Sequence, residues 1–388
     1  MAEIAVPSIY LDNNATTAVD PLVAQAMLAV YQLGPSNPSS QHALGRQARG
    51  QIEDALKTIG NCIDTRLDQP GGPRLILTSG GTESNNLALT GIADSGPIIV
   101  SKIEHPSVIA IAEVLQRAGR EIRWLGADSS GQILVEKLPE LINIDGRKAN
   151  LVSIMSANNE TGIVQPIERA TQICQENGIP LHIDATQSIG KLPLSVDALR
   201  PAAVTFSAHK FHGPAGIGAL WLGSGVKVNP MFHGGEQQLE SRPGTEPVAL
   251  AVGMAKALSL ATSDLDDHAA HMTSLRDRLE SGLLEKHPNL VVHGVDGPRL
   301  PGTCCISFLG VDRQSMLMAL DMAGIACSSG SACSSGSSPP SHVLMAMNRS
   351  EDEINSALRF SVSKFSTMEE IDQAIASISN VYLRLRKS

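Results

Sequence analysis

The sequence predicts an α/β fold with a large, doubly wound, mainly parallel sheet and a smaller α+β unit. Two observations support the large sheet: short apolar runs recur through the first two thirds of the chain, and helical stretches separate them. A third observation supports the smaller unit: beyond about residue 264, a long polar amphipathic stretch is followed by only a few strand-like segments. The 388 residues are enough for two domains, each with its own core.

Local patterns place the individual elements. The strand-like runs of the large unit lie at residues 74–78, 97–101, 151–155, 180–183 and 203–206. Ile167, Ala170 and Ile173 fall at helical spacing, and Gly178 follows as a C-terminal cap. In the smaller unit we expect a helix over residues 264–286, strands near residues 290–292 and 304–308, and a last helix from about Met368.

Composition and charge exclude several classes of function. The chain is 42% hydrophobic and 18% charged, as is usual for a soluble globular protein. Its net charge of -9 argues against a general nucleic-acid binder, which needs basic surface. The most apolar stretch, around residues 248–258, contains Lys256 and is too short to span a bilayer, and no secretory signal is visible. We therefore expect a cytoplasmic protein with no nucleic-acid and no membrane partner.

Six cysteines in a chain of this length do not form a disulfide framework. Cys304 and Cys305 lie in an apolar strand-like run, and Cys174 lies on the apolar face of a predicted helix. We expect these three to be buried small hydrophobes. Cys327 is expected to serve packing, although its spacing from Cys333 also allows a regulatory disulfide.

Lys210 and Cys333 are the two candidate reactive side chains. Lys210 ends the run S-A-H-K directly after the strand-like residues 203–206, and a lysine there can form a Schiff base. Cys333 lies in residues 328–341, a Ser-, Gly- and Pro-rich segment that we expect to be a mobile loop. A single lysine is more often a solvated surface residue, but this one is flanked by Ser207, His209 and a glycine-rich turn.

Candidate ligand contacts lie at the ends of two predicted strands. They are Gly81 and Thr82, which follow one strand, and Asp184, which ends another. The glycine allows a tight turn, Thr82 can cap the next helix, and the exposed amides can bind phosphate. The alternative is a plain strand–helix junction. Asp184 ends a strand where open α/β sheets bind ligands, and a buried carboxylate there can hold a pyridine nitrogen protonated. The alternative for Asp184 is a helix N-cap, and both interpretations stay open.

Histidines allow both functional and structural interpretations. His105 follows a strand, where an imidazole can stack on a flat ring or relay protons, or serve only as a structural residue. His209 and His212 have H-x-x-H spacing, as do His268 and His271. Neither pair has a third ligand at zinc-like spacing, so we expect no metal site.

Taken in order, these motifs resemble the cysteine desulfurases, pyridoxal-phosphate enzymes of the class-V aminotransferase family with fold type I. The resemblance covers nearly the whole chain. Its motifs are Y-L-D-N-N-A-T-T at 10–17, N-P-S-S-Q-H at 37–42, T-S-G-G-T-E-S-N-N at 78–86, S-K-I-E-H at 101–105, N-N-E-T-G at 158–162, H-I-D-A-T-Q-S at 182–188, S-A-H-K at 207–210, H-G-G at 233–235, S-S-G-S-A-C at 328–333 and R-F-S at 359–361. The cysteine segment is similar to the branch that serves nitrogenase and housekeeping iron–sulfur assembly.

The resemblance implies a role for each matching residue. Lys210 would hold pyridoxal 5'-phosphate as a Schiff base, Asp184 would pair with its pyridine nitrogen, Gln187 would contact its phenolic oxygen, and His105 would stack on the ring. The phosphate would be held by Gly81, Thr82, Ser207, His209 and, from a partner subunit, Thr245. The substrate would be bound by Asn159 and by Arg359, the latter as a fork on the carboxylate. Cys333 would accept sulfur.

The implied activity is removal of sulfur from L-cysteine, giving L-alanine and a persulfide on Cys333. The sulfur would pass to an iron–sulfur scaffold protein or another acceptor, with Cys333 as a possible transient cluster ligand. The chain would be a homodimer. Its large domain would comprise residues 16–263, and its small domain residues 1–15 and 264–388.

Alternatives to this activity remain. They are a relative acting on selenocysteine, an aminotransferase on the same scaffold, and a scaffold-binding protein without the chemistry. Pro243 replaces a small residue of the family pattern next to Thr245, which can alter the approach of Thr245 to a neighbouring site.

Overall fold

The computed structural model describes residues 9–92, 95–330 and 339–386. Its strands are β1 Ile9–Tyr10, β2 Arg74–Thr78, β3 Ile98–Ser101, β4 Ile122–Leu125, β5 Asn143–Ile144, β6 Arg147–Lys148, β7 Leu151–Met155, β8 Leu181–Asp184, β9 Ala203–Ser207, β10 Gly218–Leu222, β11 Val291–His293, β12 Thr303–Ser307, β13 Ile325–Ala326 and β14 Ala357–Ser361. Its α-helices are α1 Pro21–Gln32, α2 Ala43–Cys62, α3 Gly81–Gly91, α4 Pro106–Arg117, α5 Leu138–Ile142, α6 Ile167–Glu176, α7 Val196–Leu199, α8 Val248–Ser263, α9 Leu265–Lys286, α10 Arg313–Met322, α11 His342–Ala346, α12 Glu351–Asn355 and α13 Met368–Arg386.

A seven-stranded sheet forms the centre of the large unit, in the order β2-β10-β9-β8-β7-β3-β4. Only β10 runs against its neighbours, β2 and β9, whereas the other pairs are parallel. All five predicted runs lie in this sheet with boundaries that differ by no more than one residue. The predicted doubly wound, mainly parallel sheet is therefore confirmed.

Both faces of this sheet are covered, which explains why its strands are continuously apolar. Leu75 and Leu77 pack in a cluster with α2 and α8, whereas Ile76 between them packs in a second cluster with α3 and α4. Helix α6 ends as predicted: Gly178, just beyond it, has a φ of 60°, a left-handed conformation that suits glycine. Cys174 is buried in the first cluster, as predicted.

A third hydrophobic cluster joins the two ends of the chain. Ile9 and Leu11 pack there with residues of α9, α13 and the three-stranded antiparallel sheet β11-β12-β14. Cys304 is buried in this cluster, and Cys305, on the other side of β12, packs against the first cluster. Burial of both cysteines confirms the prediction. The division into residues 16–263 and the remainder stays a prediction.

Within the described ranges, no single helix is both long and apolar enough to cross a membrane. The consecutive helices α8 and α9 meet the requirement only when taken together, and they bend by 76° at their junction.

Candidate active site

A cleft of about 660 Å³ lies at the carboxyl ends of the parallel strands. Five strands contribute to it through the residues that directly follow or end them, because parallel strands bring their carboxyl ends to one edge of a sheet. Nine of the predicted site residues line this cleft: Gly81, Thr82, His105, Asn159, Asp184, Gln187, Ser207, His209 and Lys210. Residues far apart in the sequence are thus brought together as expected.

Asp184 ends β8 as a buried carboxylate with two fixed hydrogen bonds. Its Oδ2 accepts a bond of 2.7 Å from Asn85 Nδ2, and its Oδ1 accepts one of 2.9 Å from the Thr186 amide. No helix begins at this point of the described chain, so the alternative of a helix N-cap is wrong. Asp184 is held with its carboxylate on the wall of the cleft.

His105 has the structural role that the sequence left open, and its position also allows the functional one. It is the N-cap of α4, where its Nδ1 accepts a bond of 3.1 Å from the Ser107 amide, and its ring also lines the cleft. Burial lowers the pKa of His105, so the ring is neutral at physiological pH. Asn85 Nδ2 also donates to Ser107 Oγ, which lies 2.8 Å from His105 Nδ1, so a single network joins Asp184 to His105.

Lys210 lies in the short 3₁₀ turn after β9, with its amine directed inward. Its Nζ donates to the carbonyl oxygens of Asn14 at 2.6 Å and Ala15 at 2.8 Å. Burial, and then the charge of Arg359, lower the pKa of Lys210 to about 8. A substantial fraction of this amine is therefore neutral near pH 8 and able to act as a nucleophile or a base.

The start of α3 forms an anion-binding corner of the cleft. The first amides of a helix lack partners within the helix, and its dipole favours an anion there. The N-cap is Gly80, without a side-chain bond, so the predicted capping role of Thr82 is wrong; Thr82 instead lies inside the first turn and lines the cleft. A Cβ atom at Gly218 would lie 2.6 Å from the carbonyl carbon of Gly80, so glycine is needed for β10 to approach this turn.

Ser207 and His209 complete this corner. Ser207 is buried at the end of β9, and His209 Nδ1 lies 3.2 Å from Thr16 Oγ1. Burial, and then the charges of Lys210 and Lys191, lower the pKa of His209 to about 4, so its ring is neutral. Across the described residues, no group of three or more His, Cys, Asp or Glu is arranged to hold a metal ion.

Arg359 and Asn159 lie beside Lys210 on an adjoining cleft. Arg359 is only 4% exposed, and its Nη1 donates to the Asn159 carbonyl at 2.9 Å. Its Nη2 donates to Asp12 Oδ1 at 2.7 Å, an ion pair that the sequence reasoning missed. The buried atoms Arg359 Nε and Asn159 Oδ1 have no partner within the described part of the chain, so the pair retains unused bonding capacity.

The ends of the predicted mobile loop are bonded to Arg359 and to Glu160, the residue after Asn159. Ser328 exchanges two backbone hydrogen bonds with Arg359, of 2.7 and 3.2 Å. Ser341, at the other end, is buried and donates from Oγ to Glu160 Oε2 at 2.5 Å. Ser328 and Ser341 are thus bonded to the rest of the fold, whereas the mobility of the loop between them stays a prediction. Cys333 and the rest of 331–338 lie outside the described residues, so the role of Cys333 stays a prediction.

The sequence analysis did not single out several residues of the site, because only tertiary contacts bring them to it. They are Asp12, Asn14, Asn85, Ser107 and Lys191. Lys191 donates from Nζ to Gln187 Oε1 at 3.1 Å and to Asn14 Oδ1 at 3.3 Å. Part of its side chain is exposed, but its amine is surrounded by protein, and burial followed by the charge of Lys210 lowers its pKa to about 7. Its position four residues after Gln187 was the only signal in the sequence.

Thr245 does not line the cleft of its own chain in the described structure. It lies in the segment before α8, close in sequence to Arg242, which forms an ion pair of 2.9 Å with Glu83 on α3. Its contact with a partner subunit stays a prediction.

The fold and the site together define a member of a known enzyme class. The model of the aminotransferase class-V family matches residues 9–374, so this chain belongs to that family. Within it, the chain groups with the cysteine desulfurases. A cysteine desulfurase of Sinorhizobium fredii is 40% identical over 385 residues, which are 98% of this chain and 98% of that protein.

Two further comparisons also group the chain with proteins of this kind. A protein named cysteine desulfurase IscS, from Dictyoglomus turgidum, is 37% identical over 97% of this chain and 95% of its own. The solved structure of a NifS-like protein matches with a TM-score of 0.89 at 34% identity, covering 97% of this chain and 100% of the other. The predicted family and the predicted fold type I are confirmed.

Proposed function

We propose that this chain is a cysteine desulfurase that uses pyridoxal 5'-phosphate to convert L-cysteine to L-alanine and leaves a persulfide on Cys333. The observation that carries this proposal is the convergence of Lys210, Asp184 and His105 on one cleft, beside the buried Arg359 and Asn159. An amine, a buried carboxylate and a neutral imidazole suit a carbonyl cofactor with a pyridine ring. The similarity to named cysteine desulfurases supports the substrate.

The cleft fits this cofactor in three respects. The first turn of α3 offers free amides for a phosphate, and a Cβ atom at Gly81 would occupy that corner, 3.3 Å from Thr186 Oγ1. Thr186 Oγ1 is buried and has no partner within the described residues, so a donor or acceptor is available to a ligand. The Asp184 carboxylate is held by Asn85 in the same cleft and can pair with a protonated ring nitrogen.

The residues that would hold the cofactor divide into two groups. Lys210 would attach covalently through Nζ, Asp184 would pair with the ring nitrogen, Gln187 would contact the phenolic oxygen, and His105 would stack on the ring. The phosphate would be bound by Gly81, Thr82, Ser207, His209 and the partner subunit's Thr245. When bound, the cofactor supplies an electron sink for the bonds at the substrate α-carbon.

Side chains of the protein would bind the substrate, transfer protons and accept the sulfur. Arg359 and Asn159 would bind the substrate carboxylate, which competes with Asp12 for the guanidinium. Lys210 Nζ, with its lowered pKa, would accept the α-proton. The Cys333 thiolate would form a bond to the substrate sulfur as the carbon–sulfur bond breaks and leaves its electron pair with the β-carbon. The β-carbon would take up a proton equivalent to the one that Cys333 lost on ionisation, and Lys210 would return the α-proton to complete L-alanine.

We further propose a homodimer and an acceptor for the persulfide sulfur, such as an iron–sulfur scaffold protein. Helix α1 presents Leu22, Leu28 and Tyr31 to solvent, with Tyr31 63% exposed, and Phe232 and Leu239 near Thr245 are also exposed. Apolar surface of this kind is typical of a contact between protein chains. The acceptor rests on the resemblance of the Cys333 segment to the branch that serves iron–sulfur assembly.

Mass spectrometry of the intact protein after brief exposure to L-cysteine tests the proposal. We expect the wild type to gain the mass of one sulfur atom and to release alanine, and Cys333→Ala to gain none. Cys327→Ala is the matched control: burial raises the pKa of Cys327 far above that of a free thiol, so this variant should still gain sulfur. Alanine release at an unchanged rate by Cys333→Ala would contradict the proposal.

A further inference from the structure

Glu160 occupies the turn that follows β7, next to Asn159, and this turn is rigid. Asn158 is fully buried, and its Oδ1 accepts the backbone amides of Glu160 at 2.9 Å and Thr161 at 3.0 Å. Its Nδ2 donates to the Ile103 carbonyl at 2.9 Å, which fixes the turn to the end of β3. Glu160 is itself only 3% exposed. The Glu160 side chain is therefore held in a defined position in the large unit.

The carboxylate of Glu160 meets both ends of the segment that carries Cys333. Ser341 Oγ donates to Glu160 Oε2 at 2.5 Å, on the side that follows the segment. On the side that precedes it, a Cβ atom at Gly330 would lie 2.8 Å from the same oxygen, so the backbone of Gly330 passes directly against the carboxylate. Gly330 has a φ of 85°, which also favours glycine there. One oxygen atom thus contacts residues eleven positions apart in the sequence.

The side that precedes the segment is also bonded to a residue that would bind substrate. Ser328 pairs with the backbone of Arg359 in both directions, and Arg359 Nη1 donates to the carbonyl of Asn159. Asn159 directly precedes Glu160. The two ends of residues 331–338, the substrate-binding pair and the turn after β7 therefore form one connected set of contacts.

We propose that Glu160 is a positioning residue for sulfur transfer: by accepting a hydrogen bond from Ser341 and packing against the backbone of Gly330, it sets where the Cys333 segment leaves and rejoins the fold. This inference rests on the proposed function, because it takes Cys333 as the acceptor. Glu160 does not contact the reacting atoms in this scheme. Its effect falls on the transfer step, whereas binding of the substrate carboxylate depends on Arg359 and Asn159.

Two pairs of variants test the contact. Ser341→Ala removes the hydroxyl that binds Glu160, and Ser341→Thr keeps it. Ser341 is also the N-cap of α11, so a control must lose a cap without touching Glu160. Ser350→Ala provides that control, because Ser350 caps the neighbouring helix α12. Glu160→Ala loses the carboxylate, whereas Glu160→Gln keeps an oxygen that can accept from Ser341.

The first readout needs no cofactor. In protein freed of pyridoxal phosphate, we expect Ser341→Ala to change the rate of Cys333 alkylation by iodoacetamide by about fivefold, the factor that corresponds to one hydrogen bond. We expect the rate to increase, because the ends of the segment are released. Ser341→Thr, Glu160→Gln and Ser350→Ala should react like the wild type, and Glu160→Ala should react at least as fast as Ser341→Ala.

The second readout is a single turnover of the loaded enzyme. We expect Ser341→Ala and Glu160→Ala to form the Cys333 persulfide about fivefold more slowly. The cysteine concentration that gives half of the absorbance change should not move. Alkylation and transfer rates of Ser341→Ala equal to those of Ser350→Ala would overturn the inference. A wild type that forms no persulfide on Cys333 would instead overturn the proposed function, and the alkylation rates would still decide whether Glu160 holds the segment.

Discussion

The proposed cofactor side and the proposed substrate side of the cleft are built differently. On the cofactor side, Asp184, Asn85 and His105 lie at the ends of strands or on the helices that directly follow them, and one hydrogen-bond network joins them. On the substrate side, Arg359 and Asp12 are 347 positions apart and meet only in the folded chain. The first side is fixed by its own hydrogen bonds, whereas on the second side a substrate carboxylate would have to compete with Asp12 for Arg359.

The difference reflects where each side obtains its rigidity. The strands of the central sheet are buried on both faces, so side chains at their ends cannot shift without disturbing two hydrophobic clusters. Arg359 instead lies on β14 in the three-stranded sheet, and it contacts the turn after β7 and Ser328 through individual hydrogen bonds. The proposed substrate binding and sulfur transfer would therefore take place on the side with exchangeable partners.

The largest effect is expected from a change on the cofactor side. Asp184→Asn keeps an oxygen that can accept from Asn85 but removes the charge that would hold a ring nitrogen protonated. We expect the rate of persulfide formation to fall by about 10²–10³-fold, the usual loss for a fixed electrostatic contact to a developing charge. Stopped-flow absorbance with mass spectrometry would measure it, and an unchanged melting temperature would show that the fold is retained. A rate within threefold of the wild type would contradict a decisive role for Asp184.

An intermediate effect is expected on the substrate side. Arg359→Lys keeps the charge but loses the fork, so we expect the KM for cysteine to rise about 10- to 100-fold with a smaller change in kcat. Arg299→Lys is a matched control, since Arg299 forms a buried two-bond pair with Glu280 at 2.6 and 3.0 Å away from the cleft. Steady-state kinetics of both variants would measure the changes in KM and kcat separately. A loss confined to kcat would show that Arg359 does not bind the substrate.

The smallest effect is expected from the contact across the dimer. Thr245→Val removes one hydroxyl, and we expect the affinity for pyridoxal phosphate to fall about fivefold. Fluorescence titration of the cofactor-free protein would measure the affinity, and sedimentation should show a dimer for both forms. Thr262→Val, which loses a hydroxyl bonded to the Leu258 carbonyl within α8, is the control. An active monomer would contradict the partner contribution.

Sequence reasoning predicted which residues meet in the central cleft because most of them follow or end a recognisable strand. Asp184, His105 and Lys210 lie within a few residues of runs that are apolar throughout, so their meeting point follows from the rule for parallel strands. Thr82 shows the limit of this reasoning: it lies at the expected turn, but Gly80 occupies the capping position. Asn85 was missed although it lies within a quoted motif, because only the packing of α3 brings it to Asp184.

Five strands of the central sheet, the helix that precedes Gly178 and the reactive groups at the strand ends could be predicted from the sequence, because apolar periodicity and short connections are local properties. The tertiary structure decided which of these groups are bonded to each other. The Asp12–Arg359 ion pair, the approach of Lys191 to Gln187, and the contacts of Glu160 with Gly330 and Ser341 join distant segments or depend on the direction of a side chain. Such contacts depend on how deeply each side chain is buried and where it points, and only the packed fold defines both.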